Sequence, residues 1–226
     1  MCYERIFVMA IKISPSVLSA DLADLKKDIK RIEESGADRI HFDVMDGIFV
    51  DNISFGIPVL KSVSECTDMF LDVHLMITDP LKYIDAFVDA GADMITFHAE
   101  SESDISATIE KILSRGIGAG LTIRPKTPVE VMFPYLSKLS NALVMSVEPG
   151  FGGQGFIAET MSKVTALREE IDRNGYKCQV QVDGGINAEN APLLTSAGAN
   201  VIVAGSAIFK AKKPRTVISA IKNSVL

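Results

Sequence analysis

The chain has 226 residues, of which 47% are hydrophobic and 23% are charged, and its formal net charge is -6. This composition supplies the core of a single α/β domain and excludes the basic footprint of a nucleic-acid-binding protein. No apolar run reaches the roughly 18 residues that a membrane span needs.

The N-terminus and the cysteines indicate where the protein functions. Residues 1–10 mix charged and apolar side chains without a cleavage signature, so they are interpreted as an N-terminal extension and not as a signal peptide. The three cysteines, Cys2, Cys66 and Cys178, are an odd number without CxxC spacing. This pattern predicts reduced thiols in a cytoplasmic protein, with neither a disulfide framework nor a zinc knuckle.

Eight segments rich in β-forming residues predict strands, and helical stretches lie between them. Three of the segments, at 35–44, 90–99 and 197–206, begin alike, with a glycine suited to the left-handed residue after a helix. The predicted strands are 11–16, 39–45, 69–75, 93–98, 117–123, 142–147, 178–183 and 200–205. The clearest helical stretches are 22–35, 79–90, 103–115, 157–174 and 212–223.

This alternation predicts parallel βα units, and eight of them in about 220 residues predict a closed (β/α)8 TIM barrel. An open, doubly wound sheet is the alternative, but no GxGxxG motif follows the first strand. No linker-like segment interrupts the pattern. We therefore expect residues 1–226 to form one α/β domain.

Ionisable residues cluster at the predicted strand ends, where such barrels carry their active sites. His41 and Asp43 are two residues apart in the second strand and therefore share a face. His74 and Asp183 end two other strands. Two imidazoles and two carboxylates suit a divalent metal, and we expect zinc, with iron, manganese or cobalt as alternatives.

Simpler interpretations compete with a metal site. A single strand histidine is more often a hydrogen-bonded core residue, and we interpret His98 in this way, as a supporting residue. The pair Asp46 and Gly47 is typical of a turn. Three methionines at strand ends are either ordinary core filling or a water-excluding lining above the metal: Met45, Met76 and Met145.

Three glycine-rich segments follow the last three strands: EPGFGGQG at 148–155, DGGI at 183–186 and AGSAIF at 204–209. Each is common in turns. Around one rim, however, their backbone N–H groups can approach an anion closely, and loops after strands seven and eight are the usual phosphate site of these barrels. The three segments together predict a phosphate-binding site.

Five ordered motifs, SPSVLSAD, HFDVMDGIFV, DVHLM, SVEPGFGGQ and VDGGI, cover nearly the whole chain from Lys12 onward and resemble the ribulose-phosphate 3-epimerase family. The resemblance implies a metal-dependent isomerase of the pentose phosphate pathway that interconverts ribulose 5-phosphate and xylulose 5-phosphate. It implies that the metal ligands are His41, Asp43, His74 and Asp183, with both aspartates also as the catalytic acid/base pair. The implied substrate-binding residues are Ser16, His41, His74, Gly150, Phe151, Gly152, Gly153, Asp183, Gly184, Gly185, Gly205 and Ser206.

The residues fit this chemistry independently. C3 of a 2-ketose lies next to the carbonyl group, so loss of its proton gives an enediolate, whose charge a divalent ion stabilises as a Lewis acid. Epimerisation removes a proton on one face and returns one on the other, which two aspartates can do. The sequence leaves open which aspartate is protonated at rest. No organic cofactor is required.

Four positions depart from the family pattern: Ile48, Asp51, Arg124 and Gly155. Ile48 and Arg124 are expected near the site, which leaves the substrate preference open. The related allulose-6-phosphate 3-epimerase carries out the same chemistry on a longer sugar. Its motif tends to VDGS, so Gly185 favours the pentose enzyme.

Two other functions are compatible with such a barrel. An aldolase or isomerase acting on phosphosugars would usually need a Schiff-base lysine or a Glu/His pair, and predicted strands two to eight contain no lysine. A non-catalytic phosphate-binding barrel would be expected to lack a ligand, yet all four are present. The expected partner is a small phosphorylated ketose, not nucleic acid or membrane, and the resemblance implies a homo-oligomer, a dimer or a hexamer.

Overall fold

The structure, a computed structural model, describes residues 10–224 and consists of one eight-stranded parallel sheet surrounded by helices. Along the sheet the strands follow the order β1-β8-β7-β6-β5-β4-β3-β2. Their bounds are β1 Lys12–Ser14, β2 Arg39–Met45, β3 Phe70–Met76, β4 Met94–His98, β5 Gly118–Ile123, β6 Asn141–Met145, β7 Gln179–Asp183 and β8 Val201–Val203.

The two ends of the sheet, β1 and β2, meet and close the barrel. The backbone N–H of Asp38 donates to Ile13 at 2.9 Å, and that of His41 donates to Pro15 at 3.0 Å. Ser16 forms an isolated parallel bridge with His41. The predicted (β/α)8 barrel is therefore confirmed. The first strand is shorter than predicted, because β1 ends at Ser14 and Ser16 belongs to the segment that follows it.

Helices connect most of the strands on the outside of the barrel. Between β5 and β6 the described chain forms the 3-10 helix Val129–Tyr135, in which Pro134 prevents a regular α-helix. The α-helices of the described residues are α1 Leu25–Glu34, α2 Ile57–Ser64, α3 Ile84–Asp89, α4 Ile105–Ser114, α5 Met161–Asn174, α6 Ala191–Ser196, α7 Ser206–Phe209 and α8 Pro214–Lys222.

Several helix boundaries differ from the prediction for local reasons. The predicted helices at 22–35 and 79–90 each begin with a 3-10 segment, Leu22–Asp24 and Pro80–Tyr83, before α1 and α3. Helices α2, α6 and α7 lie outside the predicted stretches. They have eight, six and four residues, too few to show a clear helical period in the sequence.

Strand β2 shows how the barrel separates apolar from functional side chains. All seven of its residues are buried. Ile40, Phe42 and Val44 belong to the large apolar core, whereas the alternate residues His41 and Asp43 belong to the other face of the strand. This alternation brings ionisable groups to the barrel interior without removing apolar groups from the core.

The predictions about membrane spans and about the cysteines can be compared with the described residues. Within residues 10–224, no helix combines the length and the apolar character that crossing a membrane requires. Cys66 is half-buried and Cys178 is buried, and both are free thiols. Cys2 and most of the proposed extension, residues 1–9, lie outside the described residues.

Candidate active site

Four ionisable side chains converge at one end of the barrel interior. Asp43 on β2 pairs in register with His74 on β3, and the Nδ1 atom of His74 lies 2.9 Å from Oδ1 of Asp43. The Nε2 atom of His41 lies 3.3 Å from Oδ1 of Asp43 and 3.8 Å from Oδ2 of Asp183, at the end of β7. We call these four residues the His/Asp cluster.

The chemistry of the His/Asp cluster fits a divalent metal ion. One nitrogen or oxygen atom from each residue lies within 4.8 Å of those of the other three. Both histidines are fully buried, and Asp43 is 3% exposed. Buried charges of this kind are costly unless they are paired or bind a metal. The sequence prediction thus correctly identified four residues that the structure brings together and that could hold a metal ion.

A buried carboxylate that the sequence analysis missed orients His41. Oδ2 of Asp72 accepts hydrogen bonds from His41 Nδ1 at 3.0 Å, from Gln181 Nε2 at 2.6 Å and from Ser14 Oγ at 3.3 Å. With Nδ1 engaged, Nε2 of His41 points toward the His/Asp cluster, the arrangement typical of metal-binding histidines. Asp72 precedes His74 by two residues, so strand alternation was a signal that could have found it.

On the other side of the His/Asp cluster, His98 ends β4 directly behind His74. The Nε2 atoms of the two rings are 3.0 Å apart. Nδ1 of His98 lies 3.3 Å from Oε2 of Glu100, which the sequence analysis also missed. This position agrees with the interpretation of His98 as a supporting residue.

The two aspartates of the His/Asp cluster have opposite protonation tendencies. Burial opposes the charge of Asp43, but the charge of His41 and the hydrogen bond from His41 outweigh it and hold the Asp43 pKa well below its usual range. Burial, reinforced by the nearby charge of Asp43, raises the pKa of Asp183. Within the pair, Asp43 therefore favours the ionised form, whereas Asp183 favours the protonated form more than an ordinary aspartate does.

The histidines titrate differently from one another. Burial lowers the pKa of His74, and it lowers that of His98 to about 4. For His41, burial is outweighed by the charges of Asp43 and Asp72, which raise its pKa well above the ordinary value. His74 and His98 are accordingly neutral at physiological pH.

A cleft opens onto Asp43 and Asp183. Ser16 lies at its wall and donates a hydrogen bond from Oγ to Oδ2 of Asp43 at 2.5 Å. His41 and His74, which were also predicted to bind substrate, are fully buried and are not among the residues that line the cleft. The predicted site residues that line the cleft are Ser16, Asp43, Met45, Met76, Met145, Gly150, Phe151, Gly152, Gly153, Asp183, Gly184, Gly185, Gly205 and Ser206.

The glycine segments form the rest of the cleft wall. Gly185 has φ +64°, and a Cβ atom there would lie 2.6 Å from the backbone nitrogen of Phe156, so only glycine fits. Among the described residues, no hydrogen-bond acceptor is found for the backbone N–H groups of Gly184, Gly185 or Gly205. These N–H groups are therefore available to an anionic ligand. Residues of the lining that the sequence analysis missed include Leu18, Ser19, Glu148 and Ile186.

None of the four positions that depart from the family pattern, Ile48, Asp51, Arg124 and Gly155, lines this cleft. Arg124 donates to the backbone oxygen of Phe49 at 2.8 Å, and its guanidinium lies 4.3 Å from the centre of the Phe49 ring. Ile48 is 77% exposed, and Asp51 is exposed. Arg124 therefore holds the loop after β2 in place. Ile48 and Arg124 were expected near the site, but they line a separate surface depression and not the cleft itself.

Comparison with known proteins gives consistent results along the chain. Residues 12–209 match the ribulose-phosphate 3 epimerase family. The Ribulose-phosphate 3-epimerase of Bacillus subtilis (strain 168) is 46% identical over 215 residues, covering 95% of this chain and 99% of that protein. The Ribulose-phosphate 3-epimerase, cytoplasmic isoform, of Oryza sativa subsp. japonica is 44% identical over 220 residues, covering 96% of this chain and 95% of that protein.

Solved structures with the same fold are more distant in sequence. A 3-hexulose-6-phosphate synthase superimposes with a TM-score of 0.67 at 16% identity, covering 96% of this chain and 100% of that one. KGPDC from Streptococcus mutans gives a TM-score of 0.69 at 15% identity, covering 95% and 97%. These similarities show the barrel fold alone. The sequence matches, which extend over almost the entire chain, show that it belongs to the ribulose-phosphate 3-epimerase family, a family of isomerases.

Proposed function

We propose that the chain catalyses the epimerisation of D-ribulose 5-phosphate at C3 to D-xylulose 5-phosphate, a step of the pentose phosphate pathway. The observation that carries the proposal is the pair of aspartates in a single cluster, a buried Asp43 with a lowered pKa and a half-buried Asp183 with a raised one. An epimerase needs one group ready to accept a proton and another ready to donate one. The names of its relatives support the same reaction.

The two aspartates divide the proton transfers. Asp43, as the carboxylate, removes the C3 proton from one face of the ketose, and the electron pair of the C–H bond moves toward O2 to give an enediolate. Asp183 then gives its proton to C3 on the opposite face, and the electron pair returns to form the new C–H bond. One turnover leaves Asp43 protonated and Asp183 ionised, which is the starting state for the reverse reaction.

The His/Asp cluster would hold one divalent ion, which we propose to be Zn²⁺, with Fe²⁺, Mn²⁺ or Co²⁺ as alternatives; when bound, it would supply Lewis-acid stabilisation of the enediolate charge. The surrounding residues prepare this arrangement. Asp72 keeps Nε2 of His41 directed into the cluster, and the hydroxyl of Ser16 fixes the carboxylate of Asp43 next to the substrate. Met45, Met76 and Met145 form an apolar lining that limits access of water to the reacting carbon.

The phosphate would bind at the glycine-rich rim. Its ligands would be the backbone N–H groups of the Gly184–Gly185 and Gly205–Ser206 segments, which follow β7 and β8. Gly150, Phe151, Gly152 and Gly153 would close the rim from the loop after β6. The positive φ of Gly185 keeps the backbone close to the ligand, where a side chain would prevent the approach.

A kinetic comparison of three substrates tests the proposal. Ribulose 5-phosphate is expected to give a higher kcat/KM than allulose 6-phosphate, the substrate of the alternative enzyme. Unphosphorylated ribulose is the control for the phosphate site, and its kcat/KM should be on the order of 100-fold lower, because two or more charge-assisted hydrogen bonds are lost. A preference for the hexulose phosphate would favour the alternative, and turnover of neither phosphate would leave only a phosphate-binding barrel.

Two further expectations stay predictions. The resemblance implies a homo-oligomer, a dimer or a hexamer, which light scattering of the purified protein would measure. The cytoplasmic location inferred from the cysteines likewise stays a prediction.

A further inference from the structure

His74 is connected to a carboxylate that lies outside the His/Asp cluster. A row of ring nitrogens runs from Nδ1 of His74, which faces Asp43, through Nε2 of His74 and Nε2 of His98, 3.0 Å apart, to Nδ1 of His98 and then Glu100. Both rings are fully buried. Since two facing Nε2 atoms form a hydrogen bond only when one of them carries a proton, the row has a direction.

Glu100 has the contacts of an ionised acceptor. Its Oε1 accepts a hydrogen bond from the backbone N–H of Arg124 at 2.8 Å and another from the hydroxyl of Thr127. Its Oε2 faces Nδ1 of His98 at 3.3 Å. An ionised carboxylate only accepts hydrogen bonds, so the favourable arrangement places a proton on Nδ1 of His98.

The remaining protons follow from the chemistry of neutral imidazole, which carries one N–H. With its proton on Nδ1, His98 presents a bare Nε2, which accepts from Nε2–H of His74. His74 then has a bare Nδ1, and this atom faces the His/Asp cluster. We infer that Glu100 and His98 are positioning residues that keep the proton of His74 on Nε2, so that Nδ1 of His74 is free to bind the metal.

This inference rests on the proposed metal-dependent function. The effect assigned to Glu100, which is to keep the proton of His74 on Nε2, is opposed by Asp43. Oδ1 of Asp43 lies 2.9 Å from Nδ1 of His74 and would by itself attract a proton to that atom. Glu100 acts at the other end of the row and favours the reverse order. The ring of His98 is also held by Phe49, whose centroid is 4.8 Å away. Glu100 and Phe49 together therefore hold the ring of His98 in one orientation.

The substitution Glu100→Gln should reverse the direction of the hydrogen bonds along this row of ring nitrogens. The Oε1 atom of glutamine can keep the bonds from Arg124 and Thr127, which places the amide NH2 group against Nδ1 of His98. That amide donates, so His98 must accept there and carry its proton on Nε2. His74 then accepts on Nε2 and carries its proton on Nδ1, the atom that the metal needs.

Ring-nitrogen NMR of the protein labelled with ¹⁵N-histidine measures these positions directly. The chain has three histidines, and all three lie in this region, so the spectrum is simple to assign. In the parent protein, with and without Zn²⁺, we expect protonated Nδ1 in His98. In metal-free protein we also expect protonated Nε2 in His74. Protonation of His98 on Nε2 in the parent protein would overturn the inference, whatever the behaviour of the variants.

Zn²⁺ affinity, measured by competition with a chelator, is the second readout and does not depend on turnover. Glu100→Gln should lower the affinity about 10–100-fold, the usual effect of losing such a partner. Glu102→Gln, an exposed neighbour with the same change of charge, should leave it unchanged. Thr127→Val removes one bond to Glu100 but keeps the carboxylate, so it should also leave the affinity near that of the parent.

The controls separate the possible failures. Equal losses in Thr127→Val and Glu100→Gln would mean that Glu100 acts by anchoring the loop after β5, and would overturn the inference. Unchanged affinity in Glu100→Gln would overturn it as well. If the parent protein bound no divalent metal at all, the proposed metal function would be wrong, and the role assigned to the row with it.

Discussion

At the scale of single residues, the two aspartates of the His/Asp cluster have different surroundings. Asp43 accepts a hydrogen bond from Ser16 Oγ at 2.5 Å, and its Oδ1 lies 2.9 Å from His74 Nδ1. For the carboxyl group of Asp183, the described residues provide no hydrogen bond, and Nε2 of His41 lies 3.8 Å from its Oδ2. Hydrogen bonds to a carboxylate lower its pKa, whereas burial beside another negative charge raises it. The proposed difference between base and acid would therefore come from the surroundings of each aspartate.

Isotope exchange tests this division of tasks. Asp43→Asn and Asp183→Asn keep the side-chain size but remove proton transfer, so each should reduce epimerisation by about 10²–10⁴-fold. In D2O, Asp183→Asn should still allow Asp43 to remove and return the C3 proton on one face. Deuterium should then enter unreacted ribulose 5-phosphate while little xylulose 5-phosphate forms, as measured by NMR.

A matched control is Asp68→Asn, which changes an exposed aspartate before β3. It should epimerise at the rate of the parent protein. The two-aspartate scheme would have to be abandoned if Asp43→Asn and Asp183→Asn did the same with full metal occupancy.

At the scale of elements, the active site depends on loops that pack against each other at the strand ends. The β7 loop turns at Gly184 and Gly185, with φ +125° and +64°. The place where a Cβ of Gly185 would lie is occupied by the backbone of Gln154 and Phe156, from the loop after β6. The loops after β6 and β7 therefore pack backbone against backbone at this point. A side chain added at Gly185 would displace both loops.

Gly185→Ala tests this contact. A non-glycine residue at positive φ costs about 1–2 kcal/mol, and the added methyl must displace backbone, so we expect KM for ribulose 5-phosphate to rise about tenfold or more. Gly155→Ala is the control, because a Cβ there meets no atom within 4 Å and its φ is not positive. Steady-state kinetics of both variants measures the effect. An unchanged KM in Gly185→Ala would show that this loop does not form the phosphate site.

At the scale of the whole molecule, the proposed metal ligands connect distant parts of the barrel. The ligands come from β2, β3 and β7, and between β2 and β7 the ring passes through β1 and β8. A ligand that binds only the folded chain stabilises it by mass action, by about 2.7 kcal/mol at 100 times Kd. Metal binding at this cluster should therefore stabilise the barrel as a unit.

Thermal unfolding measures this effect. Zn²⁺ at about 100 times Kd should raise the Tm of the parent protein by roughly 5–10 °C, from about 2–4 °C per kcal/mol for a chain of this size. His74→Ala removes one ligand and should lose most of the shift at the same Zn²⁺ concentration, with reduced metal content. Asp68→Asn should retain the full shift. A full shift in His74→Ala, with normal metal stoichiometry, would contradict the four-ligand cluster.

The sequence by itself determined the barrel, because its evidence is local and repeated. Each strand is a short β-rich run, and the glycines before β2, β4 and β8 all have positive φ, as predicted. The residues of the His/Asp cluster were also readable, since alternation within β2 and the general position of active sites in parallel barrels require no coordinates. Helices α2, α6 and α7 were not readable, because each is too short to show a clear helical period.

Only the tertiary structure decided how these residues work together. Asp72 orients His41 from a neighbouring strand, and Glu100 reaches His74 through His98, contacts between residues 24 to 31 positions apart. The opposite pKa shifts of Asp43 and Asp183 likewise depend on distances between strands that are 140 residues apart in sequence. Sequence patterns report which face a side chain occupies, whereas hydrogen bonds and charge interactions depend on distances of a few ångströms that only the closed barrel fixes.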